Sequence, residues 1–217
     1  MKTLSESLFE KICDAHSISW EKITTAAEST ADYRIFPTAM EVVAEVKQID
    51  FNKEDEEVEE KLSRGELVES SYERGKRVRS KIRDANPQLA PHSRKGVPTI
   101  LVLYGNVRPH LYTDPYDIRA AMYGLEQHCF IVPKHPSDRS FFGDKKLGPK
   151  QGMTEQHNTS ISALGVISGS LEMLELTIYH NVYARVRLPP ECFRTHGMNQ
   201  FSLVEAVPGK YQEWVTV

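Results

Sequence analysis

Two apolar, β-rich runs, residues 42–46 and 99–104, limit what this chain can fold into more than anything else in it. The first is apolar at four of five positions (Val42, Val43, Ala44 and Val46) with Glu45 as the exception, and the second reads Thr-Ile-Leu-Val-Leu-Tyr without a break. Half-exposed strands alternate apolar and polar residues, whereas runs like these suit strands covered on both faces. Between them, residues 72–89 carry Val78, Ile82, Ala85 and Leu89 at spacings of four, three and four, the period of a helix with one apolar stripe. A buried strand, a helical crossover and a second buried strand make a parallel pair. The expected fold class is therefore α/β, with a mixed central β-sheet flanked by helices.

A charge inside the first run needs a partner or a purpose. Upstream, Tyr33-Arg34-Ile35-Phe36 reads as a short strand and Pro37-Thr38-Ala39 as a turn. A hairpin folded about Thr38 and Ala39 sets Asp32 opposite Glu45, with Cβ atoms roughly 4.5–5.5 Å apart. Lys47, two positions beyond Glu45, points to the same face. Two ionised carboxylates so close repel, and one is driven towards protonation. A divalent cation removes the conflict. Mg²⁺ takes oxygen ligands in an octahedral shell and keeps several waters, so Asp32, Glu45 and the Val46 carbonyl would suit it, with Mn²⁺ as the alternative. Lys47 then stands where it can orient a water or neutralise charge on a phosphate, which metal-assisted phosphodiester hydrolysis requires. The competing reading is an exposed hairpin with an ordinary Glu-Lys pair.

At these residues the sequence resembles the PD-(D/E)XK, or restriction endonuclease-like, nuclease superfamily. Asp32 matches the family aspartate, and Glu45-Val46-Lys47 its ExK triplet; Ala31 stands where the named motif has proline. The resemblance implies a core of order αβββαβ over residues 4–105 and a Mg²⁺-dependent nuclease or endonuclease acting on DNA, with RNA as the alternative substrate. It also implies a homodimer. A glutamate from the N-terminal helix often approaches the metal in this superfamily, which makes Glu10 the candidate and Glu6 its competitor. From the helix after the ExK strand a polar or basic residue joins the site, so Arg79 and Gln88 are the candidates there, with Lys81 and Arg83 as neighbouring phosphate contacts. Two other readings belong to other classes: a non-catalytic nucleic-acid- or protein-binding member of the same fold, and an unrelated α/β interaction protein.

The formal net charge of −3 argues against an indiscriminate nucleic-acid binder, but its distribution is uneven. Six of the seven residues 54–60 are acidic, whereas residues 74–95 hold eight Lys or Arg and one acid, Asp84. A basic stripe beside a metal site is what a phosphate backbone would require. Three scattered cysteines, Cys13, Cys129 and Cys192, fit neither a disulfide framework nor zinc spacing. No apolar run approaches a membrane span and the first residues carry acids, so a cytoplasmic protein with no membrane partner is expected.

The 217 residues are read as a single domain (1–217), a nuclease-like core over 1–105 with a C-terminal strand-rich extension over 106–217. Further expectations are a helix over 5–14 capped by Ser5, a second helix over 20–28, a helix over 72–89 that Asn86-Pro87 kinks or ends, and a loop over 137–151. The first strand of a three-stranded meander would fall near residues 24–29 or be displaced. His157-Asn158 and His180-Asn181 lack paired-histidine metal spacing and read as loop or core residues.

Overall fold

The computed structural model describes residues 2–24, 31–68, 72–107, 112–131, 134–135, 141–170, 173–207 and 210–217. The chain opens with α1 (Leu4–Ala15), whose N-cap is Thr3 rather than Ser5: the Thr3 hydroxyl accepts from the Glu6 amide, and the Glu6 carboxylate accepts from the Thr3 amide. This reciprocal capping box needs a glutamate three residues after the cap, which Ser5 lacks. Next come β1 (Ser19–Lys22), β2 (Tyr33–Phe36) and β3 (Val42–Ile49), then α2 (Lys53–Ser63), α3 (Lys76–Arg94) and β4 (Thr99–Gly105). The expected helix over 20–28 is overturned at its start, where Trp20, Glu21 and Lys22 are strand; residues 25–28 lie outside the described residues.

The pairing is the one expected of the hairpin. β1 and β2 are antiparallel, β2 and β3 are antiparallel with Tyr33 opposite Ala44 and Ile35 opposite Val42, and β3 and β4 are parallel with Glu45 beside Leu101. Beyond β4 lie α4 (Pro115–Tyr123), the separate hairpin β5 (Glu126–Ile131) and β6 (Phe141–Leu147), β7 (Ala163–Ser170), β8 (Met173–His180), the short α5 (Glu191–Arg194), β9 (Gln200–Val207) and β10 (Lys210–Thr216). One mixed sheet of eight strands, ordered β1-β2-β3-β4-β7-β8-β9-β10, runs through both halves of the chain. The expected loop over 137–151 is a strand from Phe141 to Leu147; residues 136–140 lie outside the described residues.

Alternation along β3 feeds two cores. Val42, Ala44 and Val46 pack with Leu8, Phe9 and Ile12 of α1, while Val43 and Ile49 pack with Val78, Ile82, Ala85 and Leu89 of α3. Glu45 and Lys47 share the second face by the same alternation, so the ExK charges look towards α3. That helix does not stop at Pro87. It runs on to Arg94 because Pro87 and Pro91 both lie on the exposed side, where water can satisfy the carbonyls their missing N–H groups leave free. By contrast α2 buries none of its residues. Among the described residues no helix is long and apolar enough to cross a membrane.

Candidate active site

The site lies where β2 begins and β3 runs on past it. The β2–β3 register, continued by one residue, sets Asp32 across from Glu45. Asp32 occupies a bend, its N–H donating to the Ala44 carbonyl (3.1 Å) while its Oδ2 accepts from the Val46 amide (2.8 Å). Within a strand one residue's N–H and C=O point to the same side. The Val46 carbonyl therefore also faces the gap past the end of β2, beside the Asp32 carboxylate.

Glu45 is fully buried. The Lys47 ammonium makes an ion pair with its Oε1, yet neither carboxylate oxygen accepts a well-formed hydrogen bond. Burial pushes the Glu45 carboxyl up to about 7, helped by the charge of Asp32 and opposed by Lys47 and the Gln88 amide. Asp32 is also raised, by burial first, with Glu6 adding to the rise and the Val46 amide, Lys47 and Lys22 opposing it. Buried acids are normally held by several donors; Glu45 has the Lys47 ammonium on Oε1 and the Gln88 amide nearby, and no backbone N–H. Its carboxylate, the Oδ1 of Asp32 and the Val46 carbonyl are oxygen donors of the type Mg²⁺ or Mn²⁺ takes. Among the described residues no three His, Cys, Asp or Glu side chains gather as a ready-made cage. A magnesium site held by two carboxylates, with phosphate oxygens and water completing the shell, needs no third.

Glu6 and Glu10 both project from α1 but are used differently. Glu10 accepts from the Tyr33 hydroxyl (2.8 Å) and ion-pairs with Lys2. Glu6 carries the capping box, pairs with Lys22 at 2.5 Å, and is the α1 carboxylate whose charge weighs on Asp32. Burial raises the Glu6 carboxyl, but Lys22 and Thr3 outweigh it and hold the group below the usual range. Lys22 gives no sign of this part in the sequence, where residues 20–28 read as a helix. The strand puts it opposite Tyr33, under the influence of Glu6, Asp32 and Glu10 together. Its only sequence signal is the need for a first meander strand before Asp32.

The α3 residues divide by helical phase. At about 100° per residue, Arg77, Lys81 and Gln88 fall within about 40° of one line, whereas Arg79 lies about 180° and Arg83 about 140° from Gln88. Gln88 acts on Glu45, and Arg77 donates to the Asp50 carbonyl (2.8 Å) just past the end of β3. The two contacts agree, since eleven helical residues and five strand residues both span about 16 Å. Lys81 is thus level with the far end of β3 on the Gln88 flank. Arg79 instead turns to Glu73 and the Arg74 carbonyl, and Arg83 to Ser80 and Asp84. The basic segment is not one patch: Gln88 approaches Glu45, Lys81 lies on the same flank about 10 Å along α3, and Arg79 and Arg83 turn elsewhere. His180 is a core residue bonded to Gln200.

Comparison with family models, with characterised proteins and with solved structures finds no match to this chain.

Proposed function

We propose that this protein is a metal-dependent nuclease of the PD-(D/E)XK type that hydrolyses phosphodiester bonds, with DNA as the preferred substrate and RNA as the alternative. The observation that carries the reading is Glu45: a fully buried acid that no backbone N–H satisfies, across from Asp32, paired with Lys47 and within reach of Gln88. The order of elements supports it. A helix, a three-stranded antiparallel meander, a helical crossover and a parallel strand precede residue 106, and this is the αβββαβ order of the superfamily.

In this mechanism Asp32, Glu45 and the Val46 carbonyl would hold the cation. Glu6 acts through Lys22 and Asp32, with Glu10 one turn further along α1. Bound Mg²⁺ supplies Lewis-acid polarisation of the phosphate and lowers the pKa of its waters. Lys47 positions the attacking water on the scissile phosphorus and offsets negative charge as the water oxygen bonds to phosphorus and the bridging oxygen leaves. The Gln88 amide holds Glu45 in place, and Lys81 meets a neighbouring phosphate. A cytoplasmic location and a homodimer belong to the same proposal.

The test is cleavage of supercoiled plasmid and of a labelled single-stranded oligonucleotide, with Mg²⁺ or Mn²⁺ and with chelator. Wild type is expected to cut only with metal, and Lys47→Ala to cut at least about 10²–10³-fold more slowly. Cutting that survives chelator, or a Lys47→Ala protein as active as wild type, would sink the reading.

A further inference from the structure

A cleft lies next to the site, not in it. It has a volume of about 940 Å³ and begins where β3 ends, at the first turn of α3. Three tyrosines line it, Tyr72, Tyr112 and Tyr116, together with Arg74 and Arg77. The rings and guanidinium groups form one contiguous set. The Arg74 guanidinium is 4.9 Å from the Tyr116 ring centre and 5.8 Å from that of Tyr72, the Arg77 guanidinium is 4.2 Å from that of Tyr112, and Tyr72 and Tyr112 are 5.3 Å apart. The set is fixed from below: Arg77 donates to the Asp50 carbonyl and pairs with Asp55, which also accepts from the Tyr112 hydroxyl at 2.5 Å. Its outer members are open to solvent, with Tyr72 41% and Tyr116 38% exposed. Guanidinium groups held close to partly exposed aromatic rings make a platform for another flat group.

Charge decides which flat group. The lining cations Arg74, Lys76 and Arg77 are matched by the acids Glu54, Asp55 and Glu73. A duplex presents phosphates and groove edges and keeps its base faces covered, so it needs a positive field that this balanced lining lacks. The acidic α2 contributes Glu54 and Asp55 to the wall and would repel a duplex backbone. An unpaired strand offers base faces, which stack well without a large positive charge. Arg77 lies on the same flank of α3 as Gln88, so a strand leaving the cleft runs about 16 Å along that flank to Glu45. At about 3.4 Å per stacked nucleotide this is about five nucleotides.

We infer that the Tyr72–Tyr112–Tyr116 cleft binds the bases of a single-stranded nucleic acid and leads that strand to the carboxylate face. The role as a lead-in rests on the nuclease reading; binding itself does not.

The experiment is fluorescence anisotropy of labelled oligo-dT and oligo-U, against a duplex of equal length, in chelator so that nothing is cut. Wild type, Tyr116→Leu, Tyr116→Phe and Asp32→Ala are titrated, and Mn²⁺ thermal shifts are recorded on the same proteins without chelator. Expected are single-strand binding tighter than duplex binding and about tenfold weaker binding by Tyr116→Leu. Tyr116→Phe and Asp32→Ala should bind as wild type. Raising salt from 50 to 200 mM should weaken single-strand binding by less than about tenfold, because few phosphates are neutralised. The dT and U probes separate DNA from RNA. Duplex bound as tightly as single strand, no single-strand binding, or Tyr116→Leu binding like wild type overturns the inference, even if Mn²⁺ raises the melting temperature through Asp32. The converse result, ring-dependent binding with no metal shift, keeps the cleft and removes the nuclease.

Discussion

Asp117 and Glu45 are both buried carboxylates, each no more than 1% exposed and each beside a second acid, Asp114 in one case and Asp32 in the other. Both are raised, to about 6 and about 7, by burial first and then by the neighbouring acid. The difference is in what surrounds them. Asp117 accepts from the Gly75 amide at 2.8 Å, and the Arg74 guanidinium reaches both Asp114 and Asp117. Asp114 in turn caps α4 through the Tyr116 and Asp117 amides. Each oxygen there has structural work, joining the start of α3 to α4. Glu45 has only side chains beside it, the Lys47 ammonium and the Gln88 amide, and no backbone N–H bonds to it. Two acids pressed together in a protein interior are thus either closed off by donors or left for a cation to join.

Substitution should separate the two pairs by sign. Asp117→Ala strands the buried Gly75 amide and removes one partner of Arg74, and is expected to cost about 2–3 kcal/mol in chemical denaturation. Glu45→Gln should act in reverse, abolishing cleavage and stabilising the metal-free protein by about 2 kcal/mol at pH 8. Because the folded-state pKa of Glu45 lies above its ordinary 4.5, the folded protein holds a proton that the unfolded chain releases first. Stability from this group is complete below about pH 4.5 and lost as pH rises to about 7. The gain from Glu45→Gln should therefore fade towards pH 4. A gain that is the same at pH 4 and pH 8 would remove burial of charge as its cause.

The smallest effects sharpen the division of α3. Lys81→Ala should weaken substrate binding about threefold and lower the salt slope of binding by about one, as loss of one phosphate contact does. Arg79→Ala should leave both unchanged and alter stability by at most about 1 kcal/mol, its ion pair with Glu73 being peripheral. Equal effects of the two on binding would mean that the substrate does not follow the Gln88 flank.

What is legible in the sequence is local and periodic. The hairpin register follows from two short runs and a Pro-Thr-Ala turn, and the parallel crossover from the apolar stripe of α3. β1 escapes such a reading because it is an edge strand. Only Trp20 of its four residues is better than exposed, so no alternating pattern marks it, and Lys22 goes unnoticed with it. Pro87 suggests a helix end because composition does not reveal which side of a helix a proline occupies; here it is the outer side. Nor can a run of basic residues separate Lys81 from Arg79, since that depends on which flank of α3 meets β3. The tyrosine cleft brings residue 72 together with 112 and 116 from a segment far along the chain, and no local spacing joins the two.

The most direct test of the central claim is thermal melting at pH 8 with and without Mn²⁺, for wild type and Asp32→Ala. If Asp32 and Glu45 together hold a divalent cation, Mn²⁺ at about 100 times its dissociation constant should stabilise wild type by about 2.7 kcal/mol. Asp32→Ala should show no such gain. A wild-type melt that Mn²⁺ does not move, or a gain that persists without the Asp32 carboxylate, would contradict the account.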